Sequence, residues 1–221
     1  PSIASTNPPV LAAIVAAATA RIRVGSGGVM RPNHAPLVVA EQFALLEAAF
    51  PGRVDLGIGR APGTDQVTAW ALRSGAGGVE ADAVDRFPDH VDHVLAMMSP
   101  AGAALRLGSG EHVLRATPRA TSVPMIWLLG SSDFSARLAA SRGLPYVFAH
   151  HFSGRGTAEA LALYREGYQP SPEHPEPRTF LTVNVVVAPT QAQAQRLVQP
   201  MVRTMVALRT GQPLMPQESV E

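Results

Sequence analysis

The 221-residue chain contains no cysteine. That excludes disulfide frameworks, thiolate metal sites, thioredoxin-type redox motifs and cysteine nucleophiles together. Lysine is missing as well, since the 18 basic residues are all arginine, so neither a Schiff-base mechanism nor a phosphate-loop lysine is available. Charged residues make up only 16% and the formal net charge is +1, with arginines scattered among the acids instead of gathered into a stripe. Such a surface lacks the electrostatic footprint of a nucleic-acid-binding protein. No apolar run reaches the ~18 residues that a membrane-spanning helix needs, and no basic segment precedes a signal-like one. At 46% hydrophobic residues the chain has enough apolar side chains for a sizeable core. The expectation is a folded, cytoplasmic protein with neither membrane nor nucleic-acid partners.

What is present is an alternation of helices and strands. Asn7 can cap a helix whose first turn takes Pro8 and Pro9, with Leu11, Ile14, Val15 and Ala18 at helical spacing. A β-branched run predicts a buried strand over 22–30. A helix follows over 36–50, stopped by Pro51-Gly52, and then a second strand at Val54–Gly59. Together these make one βαβ unit with parallel strands. The pattern then predicts a helix through Phe87, Val91, Val94 and Met98, a short strand at 113–116, a strand at 125–129, a helix at 134–142 and a strand at 145–149. A helix at 157–168, a strand at 180–187 and a helix capped by Thr190 with Gln193 complete the order. Residues 60–82 show no sustained period and read as a long loop of the kind that covers active sites. Residues 211–221 read as an irregular tail. About five parallel-type strands, with a helix ahead of the first, fit two architectures of the α/β class. One is a five-stranded doubly wound sheet; the other, which accounts better for the leading helix, is a single (β/α)8 barrel domain lacking its first two strands and its last.

In such folds ligands meet the chain just past the carboxyl ends of strands. After the first strand, Gly25-Ser26-Gly27-Gly28 lets a flat ligand or a phosphate approach the backbone. The spacing is not the dinucleotide fingerprint, and a strand end merely relaxed by glycine is the competing reading. After the second, Arg60 stands among small residues, where a guanidinium can hold a phosphate, lie along an aromatic ring system, or pair with Asp65. After the 125–129 strand, Gly130-Ser131-Ser132-Asp133-Phe134-Ser135 opens a helix. Free amides and the helix dipole make an anion site there, unless Ser132 or Asp133 only caps the helix. His90 and His93, flanked by Asp89 and Asp92, imitate metal ligands, but their neighbours favour an exposed charged face and no metal is expected. His150 and His151 follow a strand end where either could face a pocket, and His34 lies beside the Gly-rich turn. Trp70 and Trp127 read as core packing.

The run VGSGGVMRPNHAPLVVAEQFALLEAAFPGRVDLGIGRAPGTD, ending at Asp65, resembles the bacterial-luciferase-like flavin-dependent monooxygenases. LLGSSDFSARLAASRGLPYVFAHHF and the NVVVAPT stretch at 184–190 are similar to the same family in the same order, so the resemblance covers nearly the whole chain. It implies a (β/α)8 barrel binding reduced FMN at its carboxyl-end rim, with this chain running from the second helix to about the seventh. It also implies a non-prolyl cis peptide under the flavin at Gly27 and Gly28, a flavin-contacting arginine at Arg60, and a phosphate-holding turn at Gly130, Ser131, Ser132 and Ser135. The family's active-site histidine falls ahead of Pro1, so no catalytic residue is assigned. The activity implied is oxidation of a small organic substrate with molecular oxygen and FMN reduced by a separate flavin reductase, in a homodimer. Two alternatives stand beside it: hydride transfer with the deazaflavin F420, used by a related branch, and a non-catalytic flavin-binding subunit or fragment.

Overall fold

The computed structural model describes residues 6–61, 63, 66–74, 84–119 and 121–212. Helix α1 (Pro8–Ala17) starts as its sequence demands: the Asn7 side chain accepts from the Val10 amide, and prolines occupy a first turn whose donors lack helical partners anyway. The single strand expected over 22–30 is split into β1 (Val24–Gly25) and β2 (Val29–Met30), and a 3-10 turn at Arg31–Asn33 leads on. Helix α2 (Pro36–Ala49) and strand β3 (Val54–Gly59) close the βαβ unit. Within the stretch 60–82, expected to be loop, lies helix α3 (Gln66–Ser74). Good helix formers sustain it, but Ala69 is buried while Val67, Trp70 and Leu72 are exposed, so no large apolar stripe announces it. Residues 62, 64, 65 and 75–83 lie outside the described residues.

Helix α4 (Phe87–Met98) is followed by an antiparallel hairpin of β4 (Ala103–Leu107) and β5 (Gly110–Leu114), where the sequence pointed to one short strand. Then come β6 (Met125–Gly130), α5 (Asp133–Ser141), β7 (Tyr146–Phe148), α6 (His150–Ser153), α7 (Thr157–Glu166) and α8 (Gln191–Thr210). Thr190 caps α8 by accepting from the Gln193 amide at 3.3 Å, and Gly211 ends it in a left-handed conformation with φ 68°. Of the tail, residues 213–221 lie outside the described residues.

The main sheet is parallel throughout, in the order β1-β3-β6-β7, with β2 also paired to β3. The strand expected at 180–187 does not form. Residues 178–187 meet their neighbours at single points instead: the Tyr146 amide donates to the Arg178 carbonyl, the Thr182 hydroxyl to the Phe148 carbonyl and the Asn184 amide to the His151 carbonyl, and the Phe180 ring lies edge-on to Trp127. Its apolar residues Leu181, Val183, Val185 and Val187 are exposed. β-propensity expresses itself only through a partnering ladder and a covered face, and among the described residues this segment has neither.

The core lies between the sheet and the helices. Val39 and Phe43 of α2, Phe87, Val91 and Val94 of α4, Leu56, Ile58 and Leu128 of the strands, and Ala136 and Ala139 of α5 are fully buried. Glu47 is buried among them and ties α2 to its surroundings: one carboxylate oxygen accepts from the Gly52 amide at 2.7 Å and from the Ser122 hydroxyl. Glu47→Ala would orphan both donors and is expected to cost about 2 kcal/mol, read as a lower urea midpoint, with Glu47→Gln intermediate.

Tyr146, Tyr164 and Tyr168 form a chain of ring contacts behind β7, with centroids 5.4 Å apart in each step. The Tyr164 hydroxyl donates to the Leu144 carbonyl at 2.9 Å, and burial pushes its pKa up to about 12. In the unfolded chain a phenol titrates near 10. The folded state therefore binds more protons between the two values, so this contribution to stability is complete below pH 10 and is lost as pH rises toward 12. Burial shifts Tyr146 and Tyr168 in the same direction. Tyr164→Phe is expected to flatten part of the fall in unfolding midpoint between pH 10 and pH 12.

Candidate active site

Toward the carboxyl ends of the parallel strands stand Gly27-Gly28, between β1 and β2, Arg60 after β3, Gly130-Ser131-Ser132 at the end of β6 and His150 just after β7. The first is shaped by a bulge. Val24 and Gly25 pair with Val54 and Asp55, whereas Val29 and Met30 pair with Ile58 and Gly59, so the first strand carries one residue more than β3 between the paired stretches. An extra residue bends a strand and re-aims the residues beyond it. Ser26 repairs the interrupted ladder with its side chain: its hydroxyl donates to the Gly57 carbonyl at 2.9 Å and accepts from the Gly57 amide at 3.0 Å. Both of Gly57's backbone groups are thereby satisfied inside the sheet.

This closeness explains the glycines. A Cβ on Gly57 would overlap the Ser26 carbonyl and come within 2.7 Å of Leu129 Cδ1. A Cβ on Gly28 would lie 2.7 Å from the Gly57 carbonyl oxygen. Gly27 differs, because a Cβ there would meet nothing within 4 Å. The peptide between Gly27 and Gly28 is cis, at the position the resemblance implied.

Arg60 leaves β3 with its guanidinium 4.1 Å from the centroid of the Phe134 ring, on the first turn of α5. The pairing with Asp65 falls outside the described residues; among those described, no carboxylate is within ion-pair reach of Arg60. A cation stacked beside the positive end of a helix makes a local excess of positive charge. Asp133 offsets little of it, being exposed and 3.7 Å from Arg137. Ser132 occupies the N-cap position of α5 without a side-chain capping bond, so the simple capping reading does not hold. Ser131 and Ser132 are exposed, whereas Ser135 is only 2% exposed and lies against Gly130, where a Cβ would come within 2.6 Å of the Ser135 Cβ. The Ala149 amide donates to the Gly130 carbonyl at 2.9 Å, fixing the next strand exit beside this turn.

The histidines separate. His150 Nδ1 is 2.8 Å from the Thr157 hydroxyl and His151 Nδ1 is 2.9 Å from that of Thr182, so the adjacent rings diverge. His34 is half-buried, and burial together with Arg31 holds its pKa below the usual imidazole value. The exposed charged face expected around His90 is a correction: His90 is 2% exposed. It stands three residues after buried Phe87 and so shares the core face of α4. Asp92 is engaged by Arg142 in a two-pronged ion pair with both bonds at 2.8 Å. Trp70 is likewise not core, at 61% exposed. Trp127 is half-buried, donates to Asp55 at 3.1 Å and meets the Phe180 ring edge-on at 5.1 Å. Sequence reading missed Ser26 and Phe134, because a serine among glycines and a phenylalanine in a helix's first turn have no signature of their own.

A family model described as luciferase-like monooxygenase matches residues 1–219. The chain is 46% identical over 196 residues to the uncharacterized protein YvbT of Bacillus subtilis (strain 168), covering 88% of this chain and 55% of that one. It is 40% identical over 210 residues to a luciferase-like monooxygenase of Escherichia coli (strain K12), covering 95% and 59%. The crystal structure of apo-MsnO8 superposes with a TM-score of 0.79 at 37% identity, covering 96% of this chain and 60% of that one. Two more distant structures share the fold. They are the oxygenating constituent of a 3,6-diketocamphane monooxygenase in complex with FMN (TM-score 0.67, 18% identity, 93% and 62% covered) and an F420-dependent secondary alcohol dehydrogenase (TM-score 0.64, 17% identity, 88% and 59% covered). The chain thus spans less than two thirds of the length of each of these proteins. An α/β chain whose parallel sheet superposes on luciferase-like (β/α)8-barrel enzymes, and whose sequence matches their family model almost end to end, belongs to the luciferase-like monooxygenase family.

Proposed function

We propose that the chain binds FMN across its carboxyl-end rim and that the reduced flavin serves in oxygenation of a small organic substrate. The observation that carries this reading is the pairing of a bare backbone step at Gly27 with a cationic, donor-rich turn around Arg60 and Ser132 that has no carboxylate partner among the described residues other than the exposed Asp133. A flat ring needs the first and a phosphate the second. Gly27 and Gly28 would lie under the ring, Arg60 would contact the flavin, and Ser131, Ser132 and the first amides of α5 would hold the phosphate, with Ser135 behind Gly130. When bound, reduced flavin supplies the electrons that activate oxygen. The chain's own part is to orient the ring, anchor its phosphate and keep water away. The stretch 60–82 is suited to excluding water, because its helix α3 packs against the 3-10 turn at Arg31–Asn33 and exposes Val67 at 76% and Trp70 at 61%, apolar surface that closure would bury. A separate flavin reductase would deliver the reduced cofactor.

Titration of the chain with FMN, riboflavin and F420, followed by fluorescence, tests the reading. FMN should bind at least about tenfold more tightly than riboflavin, the worth of a phosphate anchored by charge-assisted bonds. Tighter binding of F420 would move the site to deazaflavin hydride transfer, the chemistry of the F420-dependent neighbour. No binding of any of the three sinks both.

A further inference from the structure

The register of the sheet brings Arg60 to the first turn of α5. Gly59 pairs with Leu129 across the parallel ladder, so Arg60, the next residue, leaves β3 beside Gly130, where β6 ends. Phe134 is the second residue of α5. Its side chain packs against the core, and the helix that carries it is anchored by Ala136, Leu138, Ala139 and Ala140, all buried. Ser135, also buried, lies against Gly130 and fixes this first turn relative to β6. The Phe134 ring is thus held by the fold, and the Arg60 guanidinium rests over it, 4.1 Å from the centroid.

That stack competes with a carboxylate. Asp133 is the residue before Phe134, and among the described residues it pairs with Arg137 and not with Arg60. The pair is 3.7 Å apart with side chains 64% and 65% exposed, and a contact so open to water holds its members weakly. An arginine on a flexible stem would otherwise gain by swinging onto such a carboxylate, and its forked donors would then be used up. An aromatic face offers the guanidinium a different attraction. It covers the flat side of the cation and leaves the N–H groups at the edge for another acceptor.

We propose that Phe134 is a positioning residue, acting through Arg60 to set the preference for a phosphorylated over an unphosphorylated flavin. It holds the guanidinium flat over its ring, off Asp133, with the forked edge free for a phosphate at the turn. This role rests on the flavin-binding reading above.

Titration of the chain and its variants with FMN and riboflavin, followed by fluorescence, provides the test. Phe134→Leu removes the aromatic face and keeps an apolar side chain. It should weaken FMN about fivefold, the upper worth of a cation–π contact that solvent reaches, and leave riboflavin within about twofold. Phe134→Tyr, which restores the face, should bind both ligands as the parent does. In an Arg60→Ala background, Phe134→Leu should change FMN affinity by less than about twofold, because the ring has no guanidinium left to position. A preference for FMN that survives Phe134→Leu, equal weakening of the two ligands, no recovery in Phe134→Tyr, or the same loss with Arg60 already removed would each overturn the proposal. Where the parent chain binds no FMN, the flavin-binding reading falls and this role with it; where the parent binds FMN and any of those results appears, only the role of Phe134 falls. If Phe134→Leu does not fold, Phe134→Met, likewise apolar and without an aromatic face, takes its place.

Discussion

Gly27→Ala should leave the chain as stable as before and weaken FMN binding at least tenfold, whereas Gly57→Ala should strongly destabilise the fold. The contrast arises from the atoms a methyl group meets at each place. At Gly27 nothing lies within 4 Å, so the folded protein accommodates the change within about 0.5 kcal/mol. The methyl then projects from the backbone step where the flavin ring is proposed to rest, and contact at van der Waals distance becomes overlap. FMN affinity is expected to fall at least tenfold, about 1.4 kcal/mol. At Gly57 the methyl would overlap the Ser26 carbonyl and reach Leu129 Cδ1 at 2.7 Å. The first obstacle is backbone in a neighbouring strand, so relief requires parting the bulge from β3 and breaking the two Ser26 hydroxyl bonds. Overpacking of this kind typically costs 1–3 kcal/mol, and the lost bonds take the total to about 3 kcal/mol or more. Urea unfolding and flavin titration of the two variants, run side by side, check both halves. Unchanged FMN binding by a folded Gly27→Ala chain would remove the flavin from this step.

Arg60→Ala should weaken FMN by about 10–100-fold while leaving stability nearly intact. Stacking over Phe134 at 4.1 Å contributes about 0.5–1 kcal/mol where solvent reaches it, so the fold barely depends on the guanidinium. A bound anion gains far more, about 1.5–3 kcal/mol for a charged hydrogen bond. Arg60→Lys should not restore the affinity, because an ammonium offers neither the flat face nor the forked donors. Riboflavin divides the effect further. If Arg60 acts on the phosphate, the variants bind riboflavin as the parent does; if it acts on the ring, both ligands weaken together. Full recovery of FMN binding by Arg60→Lys would refute a stacked, forked role.

Helix boundaries were legible in the sequence wherever local chemistry suffices. Asn7 and the two prolines start α1, Pro51-Gly52 follows α2, and Thr190 with Gln193 opens α8, each through bonds or dihedral limits confined to a few residues. The βαβ order and the strand exits bearing Gly27, Arg60 and Ser132 were legible for the same reason, since apolar runs and glycine turns alternate at fixed lengths.

Whatever depends on a distant partner was not legible. Residues 180–187 have strand chemistry and form no ladder, because a strand needs a neighbour to pair with. His90 looks polar and is buried, because helix phase relative to Phe87 decides its face. The bulge at Ser26 is invisible in the chain itself, for it exists only as a mismatch in count against β3, a segment about 30 residues away. The sequence by itself determined the elements, their order and the residues at the strand exits, because those depend on interactions a few residues long. Only the tertiary structure decided that Ser26 closes the sheet, that Gly27 faces open space and that Arg60 stacks on Phe134, because each of these is a distance between segments that the chain separates and the sheet brings together.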